Sequence, residues 1–281
     1  MEKLKKFFKL IRIKETFLSI PLAYVGLIFA GGDEIYTWLM ITLAMISART
    51  IGIISNKLIG YSIDARDNSF RGIPVSQKEN SKTLLLVTGI LSAFILVYSS
   101  YLLNQLCFYL SFAGLFLLLT YSYMKRLTWA RHFYFGLVET AAPIGGYIAE
   151  TGRFEPAALI LGGAILLWIA GLDIYYSIQN MESEKRENVF SIPLRFGQEN
   201  AMLYASLLYL SSITVIVTLG FFESRGLAFW AAVICVAIIF IRQHMLARNS
   251  DTQASMDEFF QINNFVSPVL FVGTFIDVMF R

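Results

Sequence analysis

Polar side chains that could bind a metal ion or a phosphate lie at one end of an otherwise apolar segment, AGLDIYYSIQNMESEKRENVFSIPLRFG, residues 170–197. Asn180 and Glu184 follow Asp173 by seven and eleven residues. On a helix of 3.6 residues per turn this spacing puts all three near one face. Ionisable groups inside hydrocarbon are costly, so such residues are functional candidates by default. The segment therefore predicts a polar stripe that leads out of a hydrophobic helix.

A second segment, SNKLIGYSIDARDNSFRGIPVSQKENSK, repeats the pattern of a helix, a polar exit, a charged turn and an Ile-Pro pair. Asn56, Gly60 and Asp64 again fall on one helical face. The two segments indicate a weak repeat of a four-helix unit, with polar ends that face one another. Carboxylate and amide oxygens suit Mg²⁺, whereas Lys125 and Arg126, at the end of another apolar run, suit a phosphate. An isoprenoid diphosphate, its tail among the 24 Phe side chains, fits this pattern.

The whole chain has the composition of an integral membrane protein. Of its 281 residues, 56% are hydrophobic and only 15% are charged, which is too little charge for the surface of a soluble helical protein. Cys107 and Cys235 lie in apolar runs and are interpreted as small buried side chains, not as a disulfide or zinc ligands. The basic amino-terminal stretch enters an apolar run without a cleavage pattern, so we expect the first span to be retained.

The chain is predicted to be one domain, 1–281, an all-α polytopic bundle, because backbone groups in lipid must be bonded within their own helix. Most of its apolar runs have a length near the roughly 20 residues that a helix needs to cross a bilayer. The nine predicted transmembrane helices lie at about 16–31, 36–63, 83–102, 106–124, 130–149, 156–179, 201–221, 227–243 and 259–279.

The distribution of basic residues predicts the orientation of this bundle. Of the 23 Lys and Arg, 18 lie at the amino terminus or in the even-numbered connections, and three lie on the opposite side. This bias places the amino terminus and the polar mouth in the cytoplasm and the carboxyl terminus outside. Arg49 and Lys57 fall within the second run, where Arg49 is a candidate buried partner for Asp173.

The two polar segments and three further stretches resemble the UbiA superfamily of intramembrane prenyltransferases, in particular its 4-hydroxybenzoate polyprenyltransferase-like branch. The three further stretches are YSYMKR, AAPIGGYIAETG and QINNFVSPVLF. The resemblance implies a Mg²⁺-dependent enzyme of quinone biosynthesis in a bacterial or archaeal cell membrane. It would transfer an isoprenyl group from an allylic diphosphate to a 4-hydroxybenzoate-like or other acceptor, with membrane lipid but no nucleic acid as a partner.

The resemblance also implies roles for single residues. Asp173 would orient or deprotonate the acceptor. Metal and diphosphate would be held by Asn56, Asp64, Asn180 and Glu184, and the candidate cationic partners of the diphosphate are Arg49, Arg71, Lys125, Arg126 and Arg195. The chain departs from the family pattern in two places. The motif N-x-x-x-D-x-x-x-D has Gly60 in place of its middle aspartate, and D-x-x-x-D appears as Asn180 and Glu184.

These departures leave two alternatives beside the transferase. Losing one electrostatic element of this kind commonly costs about 10²- to 10³-fold in rate. A terpene cyclase of the same fold would act on the diphosphate alone, and a noncatalytic lipid-binding or partner protein would release no diphosphate. Nearby groups that could compensate are Asp67, Glu182 and Glu187 as ligands and Lys57 and Arg66 as cations.

Three groups of residues outside the motifs carry separate expectations. Glu139, in the middle of a run, is either an adaptation of the site or a protonated, hydrogen-bonded acid. His132 and His244 are isolated histidines near span ends and are expected at the surface. Aromatic residues near the same ends are interpreted as an interfacial belt; they are Tyr121, Tyr123, Trp129 and Tyr134.

Overall fold

A computed structural model describes residues 13–64, 78–248 and 253–280, and these residues form helices joined by short connections. The helices are α1 Ile13–Phe29, α2 Ile35–Asp64, α3 Lys78–Leu103, α4 Gln105–Leu127, α5 Arg131–Thr151, α6 Pro156–Gln179, α7 Met181–Arg186, α8 Ile192–Phe196, α9 Gln198–Phe222, α10 Leu227–Arg248, α11 Gln253–Asn263 and α12 Val266–Met279. The described part of the chain is thus all-helical, as predicted.

Seven helical segments of the described residues are long and apolar enough to cross a membrane. They are Ile35–Leu58, Lys82–Leu103, Gln105–Leu127, Pro156–Gln179, Gln198–Phe222, Leu227–Arg248 and Asp257–Met279. The other two predicted runs correspond to α1, whose apolar part Ser19–Phe29 is shorter, and to α5, which carries Arg131 and Glu139. Seven apolar spans identify a multi-pass membrane protein.

The core lies around α6, which packs against α5 on one side and α9 on the other. Ala170, Ile174 and Tyr175 of α6 are fully buried. Helix α5 also packs closely against α1, because Gly146 lets the two backbones approach. A Cβ atom added to Gly146 would lie only 1.9 Å from the carbonyl oxygen of Ala23.

Apolar side chains cover much of the outer surface. On α3 and α4, Ile90, Phe94 and Phe116 are each about two-thirds exposed, as suits helices whose outer faces contact lipid. Cys107 is buried, as predicted, but Cys235 is exposed on α10, so the prediction was wrong for the second cysteine. Both cysteines are free thiols.

Three helix ends meet at one end of the bundle. Helix α4 ends at Leu127, and α5 begins at Arg131 after a short turn. The segment that follows α6 returns to α4, because the backbone N–H of Phe190 donates to the carbonyl oxygen of Lys125 at 2.9 Å. The carboxyl ends of α4 and α6 and the amino end of α5 are thereby held together.

Candidate functional site

A buried ion pair lies where these three helix ends meet. Arg131, the first residue of α5, is only 3% exposed. Its guanidinium contacts the carboxylate of Glu184, donates to the hydroxyl oxygen of Ser177 at 3.2 Å and lies 4.0 Å from the carboxylate of Asp173. One cation therefore lies between two acidic side chains that the sequence had placed on a single polar face.

The carboxylate of Glu184 is engaged at both oxygens. Oε1 accepts from Arg131, and Oε2 accepts from the hydroxyl of Ser177 at 2.5 Å. Glu184 does not continue the helix of Asp173, because α6 ends at Gln179 and Glu184 lies on the separate short helix α7. The chain turns at Asn180, whose backbone N–H donates to the carbonyl oxygen of Ser177 at 3.1 Å.

Asp173 is held by a histidine that the sequence placed elsewhere. His132 is fully buried, and its Nδ1 lies 2.7 Å from Oδ2 of Asp173. Its Nε2 accepts a hydrogen bond from the backbone N–H of Ile192 at 3.2 Å. Because Nε2 is an acceptor, the ring proton of the neutral imidazole is on Nδ1 and is donated to Asp173. The predicted surface position of His132 was wrong. The other histidine, His244, is half-buried, and its Nδ1 shares a hydrogen bond of 2.7 Å with the hydroxyl of Tyr175.

The other polar segment contributes Asn56 to the described structure. Asn56 is exposed on α2, and its Oδ1 accepts from the hydroxyl of Ser122 on α4 at 3.0 Å. The side chain of Asp64 and the whole of Arg71 lie outside the described residues. Asn56 is therefore linked to α4, the helix that also carries Lys125.

A cavity of about 310 Å³ opens between α2, α3, α4 and α5 and is lined mainly by apolar side chains. Its wall contains an ion pair, in which Arg49 Nη1 lies 3.0 Å from Oε1 of Glu139. Arg49 therefore pairs with Glu139. The prediction from the sequence that Arg49 pairs with Asp173 was wrong. Nε of Arg49 is buried and has no hydrogen-bond partner in the described part of the chain.

Basic and aromatic side chains surround the same end of the bundle. The ammonium of Lys125 lies 5.1 Å from the ring centroid of Tyr121, which stacks on Phe135 inside the bundle. The guanidinium of Arg195 lies 4.8 Å from the ring centroid of Trp129. Arg126 is exposed. These cations lie at the helix ends, where a phosphate group can be reached from water.

Only part of the described donor set fits a metal ion. Among the described residues there is no group of three or more His, Cys, Asp or Glu that could hold one. Asn180 donates through Nδ2 to the carbonyl oxygen of Tyr176 at 2.7 Å, which leaves its amide oxygen available as a ligand. The amide oxygens of Asn56 and Asn180 suit Mg²⁺. The carboxylate of Glu184 does not, because a metal ion there would have to displace the guanidinium of Arg131, which contacts it.

Comparison with known sequences identifies relatives along most of the chain. The model of the UbiA prenyltransferase family matches residues 19–265. A 4-hydroxybenzoate octaprenyltransferase from Tolumonas auensis is 28% identical over 247 residues, which cover 87% of this chain and 85% of that protein. The enzyme of the same name from Aliivibrio salmonicida is 25% identical over 281 residues, 97% of each chain.

Solved structures show the same fold. The apo structure of a UbiA homologue from Aeropyrum pernix K1 aligns with a TM-score of 0.83 at 23% identity, covering 94% of this chain and 98% of that one. A UbiA homologue from Archaeoglobus fulgidus, bound to DMAPP and Mg²⁺, aligns with a TM-score of 0.71 at 14% identity, covering 98% and 99% of the two chains. The chain is a multi-pass membrane prenyltransferase and belongs to the UbiA prenyltransferase family.

Proposed function

We propose that the chain transfers an isoprenyl group from an allylic diphosphate to an aromatic acceptor, with 4-hydroxybenzoate as the first acceptor to test. The observation that carries this proposal is that α4 lines an apolar cavity, whose wall contains Arg49 and Glu139, and ends in the cations Lys125 and Arg126. An isoprenoid diphosphate has a matching division between an apolar tail and an anionic head. The names of the sequence relatives support the choice of acceptor.

The diphosphate would be bound by the basic residues at the helix ends. Lys125, Arg126 and Arg195 would contact its oxygens, together with Arg71, which follows α2 in the sequence. Arg49, which is paired with Glu139, would face the junction between head and tail. Bound Mg²⁺, held by Asn56, Asp64 and Asn180, would supply positive charge to the leaving diphosphate.

Asp173 would orient the acceptor or take its proton. Asp173 is 8% exposed, and its carboxylate is fixed by the hydrogen bond from His132 at 2.7 Å. His132 would therefore act as a positioning residue, which orients Asp173 and links it to the segment that begins at Ile192. A fixed carboxylate is suited to accept a phenolic proton.

We also propose that the chain crosses the membrane nine times. In this arrangement α1 and α5 cross together with the seven apolar spans. The amino terminus and the polar mouth face the cytoplasm, and the carboxyl terminus faces outward. The concentration of 18 of the 23 Lys and Arg on one side of the membrane supports this orientation.

Diphosphate release by the purified chain in lipid tests the proposal. The assay supplies Mg²⁺ and allylic diphosphates of several chain lengths, with and without 4-hydroxybenzoate, and identifies the product by mass. We expect acceptor-dependent release and a prenylated acceptor. Lys125→Gln should lower release at least about tenfold, whereas exposed Arg186→Gln, on the same side of the bundle, should not.

The other outcomes of this assay separate the alternatives. Release without an acceptor, with a hydrocarbon or alcohol as product, would indicate a cyclase. A lack of release with every diphosphate and every acceptor would contradict the transferase and favour a noncatalytic lipid-binding protein.

A further inference from the structure

The acidic half of the site on α6 and α7 already contains a cation. We call this set the α6–α7 half and define it as Asp173, Ser177, Asn180 and Glu184. The guanidinium of Arg131 lies between its two carboxylates, in contact with Glu184 and 4.0 Å from Asp173. A metal ion bound at this half would have to share that position with Arg131.

The charges of the α6–α7 half are balanced without a metal ion. Asp173 and Glu184 provide two negative charges, and Arg131 provides one positive charge between them. Lys125, at the end of α4, is close enough to interact electrostatically with both carboxylates. His132 donates to Asp173 and accepts at Nε2 from the backbone N–H of Ile192. Asn180 adds no charge. A divalent ion here would therefore be repelled by two nearby cations and gain no unpaired carboxylate.

The ligand geometry points the same way. A carboxylate must turn an oxygen toward a metal ion, but those of Glu184 are bound by Arg131 and Ser177. Arg131 cannot move into water to release them, because it is 3% exposed and lies among packed helix ends. The amide oxygen of Asn180 and the second carboxylate oxygen of Asp173, Oδ1, are then the remaining candidate ligands of this half.

We propose that Arg131 takes the place of a metal ion in the α6–α7 half, so that the chain binds a single divalent ion with diphosphate. The ion is held from the side of Asn56. In the α6–α7 half the positive charge of Arg131 is permanent, because a guanidinium does not lose its proton. This inference rests on the proposed function only in taking diphosphate as the ligand that accompanies the ion.

Counting bound Mn²⁺ tests the proposal. The full chain, purified in detergent, is titrated with Mn²⁺ in the presence of inorganic diphosphate, and free Mn²⁺ is measured by electron paramagnetic resonance. We expect one bound ion per chain. Glu184→Gln should also bind one ion, with an affinity within about threefold of the unaltered chain. Groups that only hydrogen-bond to metal ligands typically change metal affinity by about 10- to 100-fold. If Glu184 were itself a ligand, its replacement would therefore lower Mn²⁺ affinity clearly.

A pair of variants tests the role of Arg131 directly. Asn180→Asp alone adds a carboxylate but retains the cation, and we expect it to remain at one ion. Arg131→Gln combined with Asn180→Asp frees Glu184 as well, and we expect a second ion. Gel filtration of each variant establishes that it is folded. If the combined variant does not fold, the numbers of bound Mn²⁺ ions on the unaltered chain and on Glu184→Gln still decide the question.

Three results would overturn the proposal: two ions on the unaltered chain, no ion at all, or a loss of affinity of more than tenfold in Glu184→Gln. Because ions are counted without turnover, the proposed function can fail separately. A chain that binds one ion but transfers no isoprenyl group would refute the transferase and leave the inference about Arg131 standing.

Discussion

Replacing Arg131 with methionine should destabilise the protein more than replacing any exposed arginine. The substitution keeps a long side chain at the position but removes the cation that lies between Glu184 and Asp173. Glu184 would then remain buried and, within the described part of the chain, would keep the hydroxyl of Ser177 as a donor to its side chain.

The magnitude follows from the burial of the pair. The side chains of Arg131 and Glu184 are only 3% and 10% exposed, so water screens the remaining charge poorly. Removing one partner of a buried pair costs about 3–5 kcal/mol, because the other charge is left uncompensated. At roughly 2 °C per kcal/mol for a chain of this size, the Tm should fall by about 6–10 °C.

Thermal unfolding in detergent provides the assay, with Arg153→Met as the matched control. Arg153 makes an equally direct ion pair with Glu155 at 2.6 Å, but its side chain is 75% exposed. Exposed pairs contribute little to stability because water screens their charges, so the control should lose less than about 2 °C. Arg131→Met combined with Glu184→Gln should lose less than the sum of the two single variants. Equal losses in Arg131→Met and the control, or additive losses in the double variant, would refute the reasoning.

Three further substitutions test the packing, the cavity and the chemistry. Gly146→Ala should lower the Tm by at least the equivalent of about 1–3 kcal/mol, because its Cβ would lie 1.9 Å from a carbonyl oxygen of α1. Gly145→Ala, with nothing within 4 Å, should leave the Tm unchanged, and equal effects would contradict this packing. Glu139→Gln frees Arg49 to bind the carboxylate of 4-hydroxybenzoate. The affinity for 4-hydroxybenzoate, measured by calorimetry, should therefore rise about tenfold. Unchanged affinity would mean that the acceptor does not reach Arg49. Asp173→Asn should lower kcat about 100-fold without changing the KM for the diphosphate, whereas a matching loss of diphosphate binding would indicate a structural role.

The helical membrane architecture could be predicted from the sequence because long apolar runs and their polar ends are local features. The polar stripe was predicted less well. Asp173 and Glu184 do approach one cation, but through a turn at Asn180 and not along one continuous helix. A helical spacing rule assumes that the helix continues, and it gives no sign of where the helix ends.

The partners of the buried charges could not be predicted, because they come from distant parts of the chain. His132 is paired with a residue 41 positions away, and Arg49 with one 90 positions away. Isolated histidines are common at surfaces, so only the tertiary structure reveals that His132 is buried. One signal was present: α5 carries Arg131 and Glu139 within a helix that is otherwise largely apolar, and both prove to be ion-paired.

The buried cation also gives a physical reason why this chain can have Asn180 where the family motif has an aspartate. A third carboxylate beside Asp173 and Glu184 would leave the α6–α7 half with an excess of negative charge, because Arg131 and Lys125 together balance two carboxylates. In an ordinary metal site a divalent ion supplies that balance, and its binding is therefore coupled to the charges of the ligands. With Arg131 and Lys125 in place, an amide at Asn180 keeps these charges balanced without a metal ion. The amide of Asn180 and the two cations are then parts of one electrostatic arrangement, in which positive charge that a metal would supply is built into the helix ends.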